Sequence, residues 1–124
     1  MIPVFKPLIE KEEISTVVKS LEQGWLGMGS YVKQFEDAVA NVCQLKPEDD
    51  RHVVAVSTGH AAMHLAFLAM GIKKGDEVIT PSFNNIADFQ AIRACGADPV
   101  FVDIDDKTLC IDVAKVKELI TPKT

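Results

Sequence analysis

The stretch from His52 to Met70 constrains this chain most. His52-Val-Val-Ala-Val-Ser57 is a β-branched run, Ser57-Thr58-Gly59-His60 reads as a turn, and the segment to Met70 is rich in Ala and Leu with helical spacing. A strand that enters a helix through a tight glycine-containing turn leaves unpaired backbone N–H groups aimed at one point. Such a point favours an anion, most often a phosphate. The same turn also has a plain structural reading, and the remaining residues have to separate the two.

The pattern after this stretch alternates. Lys73-Lys74-Gly75-Asp76 is a turn, Glu77 to Thr80 a short strand and Pro81 its break. Ile86 to Cys95 is a helix closed by Gly96, and Pro99 to Val102 is another strand. Asp103 to Lys107 is an acidic turn, Thr108 to Ile111 a further short strand, and Asp112 caps a last helix carrying Val113, Val116, Leu119 and Ile120. Short apolar strands alternating with helices mean an α/β fold with right-handed crossovers and a buried, largely parallel sheet.

Residues 1–9, with Pro3 and Pro7, read as an extended arm whose Ile2, Val4, Phe5 and Leu8 need a surface to rest on. Residues 10–45 are helical. Glu10 to Gln23 places Ile14, Val17, Val18 and Leu21 on one face, and Gly24 stops it. Trp25 to Gly29 is a loop. Ser30 is suited to cap a second helix with Val32, Phe35, Val39 and Val42 as its stripe. Lys46 to Asp50 is a loop, and residues 52–124 form the alternating β/α part. The chain has the size of one domain, but its roughly three or four strands would leave an exposed sheet edge. Pairing with a second copy or truncation of a longer protein would account for that.

A formal charge of -5 leaves no basic stripe for nucleic acid. No apolar run is long enough to span a bilayer, and the first residues lack a signal-peptide layout, so a cytoplasmic location is expected. Cys43, Cys95 and Cys110 carry no Cys-x-x-Cys spacing and read as buried free thiols of a reducing compartment.

The turn at Ser57 is neither a Walker A sequence nor Gly-x-Gly-x-x-Gly, which disfavours a nucleoside triphosphate or a dinucleotide. His60 and His64, one helical turn apart, lack an evident acidic partner and read as structural or surface residues rather than metal ligands. Asp103, Asp105 and Asp106 do not fit the calcium-loop template. Thr80-Pro-Ser-Phe-Asn-Asn85 follows a strand at the carboxyl end of the sheet, where Ser57 also lies. The two turns are therefore expected to line one crevice.

Three segments, taken in order, resemble the DegT-type nucleotide-sugar aminotransferases, which use pyridoxal phosphate (PLP). They are Gly24-Trp-Leu-Gly-Met-Gly-Ser-Tyr-Val-Lys-Gln-Phe-Glu36, Ser57-Thr-Gly-His-Ala-Ala-Met-His-Leu-Ala-Phe67, and Gly75-Asp-Glu-Val-Ile-Thr-Pro-Ser-Phe83 with Gly96-Ala-Asp-Pro-Val-Phe-Val-Asp-Ile-Asp105. The resemblance implies the N-terminal part of a fold-type I large domain, a partial three-layer α/β/α structure with a mainly parallel sheet. It also implies a homodimer with active sites at the interface. The implied activity is transfer of an amino group, usually from glutamate, to a nucleotide-linked keto-sugar in polysaccharide or sugar biosynthesis. The cofactor phosphate would sit on Gly59, His60 and Ala61.

Two positions depart from the family pattern. His60 stands where the family mostly has Thr, and Asn85 stands where it has an aromatic residue against the cofactor ring, with Phe83 or Phe89 as substitutes. The family's Schiff-base lysine and its pyridinium-pairing aspartate fall after the last residue here, so no catalytic residue is assigned, and the chain alone is expected to be inactive. Two alternatives stay open. One is a related PLP-dependent sugar dehydratase; the other is a non-catalytic α/β module that dimerises through its arm and sheet edge.

Overall fold

The computed structural model describes residues 3–124, so Met1 and Ile2, the start of the expected arm, lie outside the described residues. The chain divides into two compact units, one ending at Ala55 and the other running from Val56 to Thr124.

In the first unit, α1 (Lys11–Glu22) begins where the Glu10 N–H donates to the Glu13 carboxylate at 2.7 Å. Glu12 and Glu13 at its start and Lys19 near its end complement the helix dipole. Gly24, at φ +71°, ends it by donating to Leu21 O. Helix α2 (Ser30–Val42) has Gly29 rather than Ser30 as its N-cap. A Cβ at position 29 would lie 2.7 Å from the Trp25 ring, so with Trp25 in this place the extended residue before the helix has room for glycine alone, and Ser30 is the first helical residue. The helix closes on Gln44 at φ +54°, where Leu45 N–H reaches Ala40 O and Gln44 N–H reaches Asn41 O. A short 3-10 turn, Pro47–Asp49, follows.

The expected strand from His52 to Ser57 does not form. A strand exists only where a neighbour takes its backbone groups, and none of the described residues pairs with this segment. The Ala55 N–H donates instead to the Glu36 carboxylate at 2.9 Å, and Val54 is 70% exposed.

In the second unit, α3 (Gly59–Ala69) ends in a glycine cap: Gly71 N–H bonds Leu68 O, and Ile72 N–H bonds Phe67 O. Strand β1 (Glu77–Pro81) pairs in parallel with β2 (Asp98–Val102), Glu77 opposite Asp98 and Pro81 opposite Val102. Proline is tolerated at the last β1 position because Ser82 N–H continues the ladder to Val102 O at 2.8 Å. Helix α4 (Ile86–Ala94) makes the crossover. Helix α5 (Val113–Leu119) starts at Asp112, whose carboxylate accepts from the N–H groups of Ala114 and Lys115.

The result is an α/β fold with a small parallel sheet. Its core, Ala91, Ile92, Ala97 and Val102 with the buried Thr80, lies where α4 meets the two strands. Burying Ile92 contributes roughly 2 kcal/mol. The expected strand at Thr108–Ile111 shrinks to one antiparallel bridge, Ile104 to Ile111, because Leu109 sits at φ +58° and breaks the extended run. The start of β1 is held by the last residues: Glu77 N–H bonds Lys123 O, and the Thr121 hydroxyl donates to the Glu77 carboxylate.

Candidate functional site

Thr58 precedes α3 in extended backbone, and its Oγ1 accepts the Ala61 N–H at 3.1 Å. Its carbonyl takes the N–H of Ala62 at 3.0 Å. These two bonds use the third and fourth amides of the turn. The N–H groups of Gly59 and His60 are left without an acceptor among the described residues. A Cβ added to Gly59 would meet nothing within 4 Å, so there is open space beside the first residue of the helix.

The His60 side chain does not point into that space. Its Nδ1 lies 3.0 Å from the carbonyl oxygen of Ala87, in the first turn of α4. A carbonyl only accepts, so Nδ1 carries the proton. Ala87 is tied in turn to Asn85, whose side chain caps α4 by accepting the Ala87 N–H at 2.9 Å. At the far side of the same helix pair, the Cys95 thiol approaches His64 O at 4.0 Å, so α3 and α4 run in the same sense with their N-termini together. Both lie at the carboxyl end of β1, where ligands gather in open α/β sheets. The structure thus brings the Ser57 and Pro81 turns side by side.

Within the second turn, Asn84 bonds the Asp88 carboxylate with its amide and the Asn85 N–H with its carbonyl oxygen. The Asn85 amide oxygen is occupied by capping. Phe89 packs edge-on against Phe101, ring centroids 4.9 Å apart at 82°, and so belongs to the packing of helix on strand. Phe83, 66% exposed, is the aromatic residue that this turn displays.

Other candidates resolve into structure. Asp103 pairs with Lys115 at 2.9 Å, which holds its carboxyl below the usual range. Asp105 accepts from Thr108 and Lys107, and those hydrogen bonds lower its pKa as well. The cysteines are free but not buried: Cys43 and Cys110 are exposed and Cys95 is half-buried. Cys43 and Cys95 are helix C-caps, and Cys110 lies in a bend before α5.

Trp25 is mostly exposed, donates its Nε1–H to Met28 O at 2.9 Å and folds over Gly29. That fold borders a concavity of about 380 Å³, lined in part by Ser20, Gln23 and Tyr31 within the first unit. Among the described residues no helix is long and apolar enough to cross a membrane.

The sequence pattern marks the turn at Ser57 but not Thr58 as its cap, and nothing in it signals the bond from His60 to Ala87. Those two residues are 27 positions apart, and only the packing of α3 on α4 joins them.

Comparison with known proteins bears on this geometry. The model of the DegT/DnrJ/EryC1/StrS aminotransferase family matches residues 7–124. The GDP-perosamine synthase of Caulobacter vibrioides is 40% identical over 124 residues, covering 99% of this chain and 32% of that protein. The spore coat polysaccharide biosynthesis protein SpsC of Bacillus subtilis is 45% identical over 123 residues, covering 99% and 30% respectively. Among solved structures, Spr1654 of Streptococcus pneumoniae, assigned as a sugar aminotransferase and solved in its PLP form, superposes with a TM-score of 0.89. It is 33% identical, covering 99% of this chain and 30% of that one. The chain thus spans about a third of the length of the curated relatives it matches.

Proposed function

Because the chain belongs to the DegT/DnrJ/EryC1/StrS aminotransferase family, we propose that the protein carrying it moves an amino group from glutamate to a nucleotide-linked keto-sugar. The single observation that carries the proposal to this site is the pair of open N–H groups at Gly59 and His60, at the carboxyl end of a parallel strand pair. Similarity to a perosamine synthase and to a spore coat polysaccharide protein supports a role in polysaccharide biosynthesis.

The residues fit the phosphate of PLP. Two amides at the positive end of α3 without an acceptor among the described residues, with open space beside Gly59, suit a dianionic group. In this reading Gly59 and His60 donate to the phosphate. Ala61, held by Thr58, keeps the turn closed, and Asn85 shapes the neighbouring turn that faces the ring. When bound, the cofactor supplies an electron sink for the bonds broken at the amino-bearing carbon. The residues here bind and orient it; proton transfer and covalent attachment fall to groups elsewhere.

No lysine of this chain stands in a motif matching the family's Schiff-base lysine, so residues 1–124 alone are proposed to be inactive. The exposed Val4, Phe5 and Leu8 of the arm, and the exposed stripe Ile14, Val17 and Leu21 on α1, support a homodimer. A cytoplasmic site of action accords with the soluble nucleotide-linked substrate.

The test is isotope transfer. Full-length protein is incubated with PLP, nitrogen-15 glutamate and a panel of nucleotide-linked keto-sugars. Label appearing in the sugar product supports amino transfer. A product that has lost an oxygen without gaining nitrogen means the dehydratase reaction instead, and no change with any sugar overturns the proposal.

A further inference from the structure

We propose that His60 is a positioning residue of the cofactor site, a latch between the first turns of α3 and α4 rather than a ligand of the phosphate. The inference rests on the cofactor reading above. The observation behind it is the 3.0 Å contact from Nδ1 of the half-buried His60 ring to the Ala87 carbonyl. With its proton committed to that carbonyl, Nδ1 has no donor left for an anion over Gly59.

The consequence lies in what the latch joins. The His60 ring bonds the Ala87 carbonyl, and the N–H of the same residue bonds the Asn85 side chain. The amides that face the phosphate and the turn that faces the ring are therefore linked through one residue, Ala87. Both ends of the cofactor are held in one frame. His60 contributes to phosphate binding through its backbone N–H and to the frame through its side chain. These two contributions respond differently to substitution, because replacing the side chain leaves the amide in place. Asparagine preserves the reach, since its Nδ2 is separated from Cβ by the same number of bonds as Nδ1 of histidine.

The experiment compares wild-type, His60→Asn and His60→Ala forms of the full-length protein. Nitrogen-15 shifts of the His60 ring in cofactor-free protein report its tautomer, and hydrogen exchange reports the first turn of α4. Affinity is measured for PLP and for pyridoxal, which lacks the phosphate. The expected results are a protonated Nδ1, faster exchange in the α4 turn of His60→Ala, and affinity lower by about fivefold or more for both ligands in that variant. His60→Asn should restore most of both losses.

A proton on Nε2 alone, unchanged exchange in His60→Ala, or a loss confined to PLP would overturn the latch, the last by making the imidazole a phosphate ligand. Should His60→Ala fail to fold, the wild-type tautomer and the His60→Asn affinities still decide. Should wild-type protein bind neither PLP nor pyridoxal, the cofactor reading falls, and the tautomer and exchange rates alone settle whether the latch exists.

Discussion

Thr58 Oγ1 accepts the N–H of Ala61 at 3.1 Å, and this bond settles which amides at the start of α3 remain free. With Ala61 satisfied by the cap, Gly59 and His60 are the donors that face outward. Replacing Thr58 by Ala removes the cap and should cost about 1 kcal/mol of stability, whereas Thr58→Ser retains the oxygen and most of that stability. Denaturant unfolding of the two variants checks the difference. PLP affinity should fall in the same order, because an uncapped first turn frays and no longer presents its amides together.

Gly59 is set apart from Gly24, Gly71, Gly75 and Gly96, which all have positive φ. Nothing in its backbone demands glycine, and an added Cβ meets open space. Gly59→Ala should therefore fold with unchanged or slightly raised melting temperature. In the proposed site the added methyl group would crowd a phosphate seated on this turn, and PLP affinity should drop about tenfold, the loss expected when one hydrogen bond to a charged group is weakened. Unfolding and cofactor titration on the same preparation separate the two effects.

Gly96 behaves in the opposite way. It sits at φ +82°, and a Cβ there would stand 3.3 Å from Cβ of Lys74. Gly96→Ala should lose about 1–2 kcal/mol from the left-handed backbone alone. The loss appears in the unfolding midpoint, with cofactor affinity of the folded fraction unaltered, since the substitution lies at the opposite end of α4 from Ala87.

The acidic turn makes a pH prediction. Asp103 has its carboxyl lowered below 3.8, first by the Lys115 side chain and then by the Ile104 N–H, while Lys115 is raised above 10.5 by the same pair. A lowered acid contributes stability that is present above its unfolded pKa and lost as pH falls through the folded one. A raised base contributes stability that is present below its unfolded pKa and lost as pH rises through the folded one. The pair is therefore fully stabilising between those limits. Asp103→Asn should flatten the stability profile at both extremes, and an unfolding series from acid to alkaline pH checks it. Both groups are solvent-exposed, so the change should be small and should shrink with added salt.

Much of this fold is legible from spacing alone. Asp112 at a helix start, glycines at 24, 71 and 96 just past helix ends, and the apolar strands flanking Ile86 to Cys95 each act locally, through capping or backbone sterics. The strand expected at His52 fails for the converse reason. Its β-branched run suits an extended backbone, but pairing depends on a neighbour that periodicity does not reveal. The same applies at the site. The open amides at Gly59 follow from a strand-turn-helix pattern, whereas the His60 contact with Ala87 and the commitment of Phe89 to Phe101 arise from packing between distant segments. The cysteines show a further limit: apolar neighbours in sequence did not bury Cys43, which ends α2, or Cys110, which lies in the bend before α5.

A crystal structure of the full-length protein grown with PLP tests the cofactor site most directly. The phosphate should be seated on the first turn of α3, its oxygens within about 3.2 Å of the Gly59 and His60 amide nitrogens. A phosphate bound elsewhere, with those two amides facing solvent, would contradict that placement.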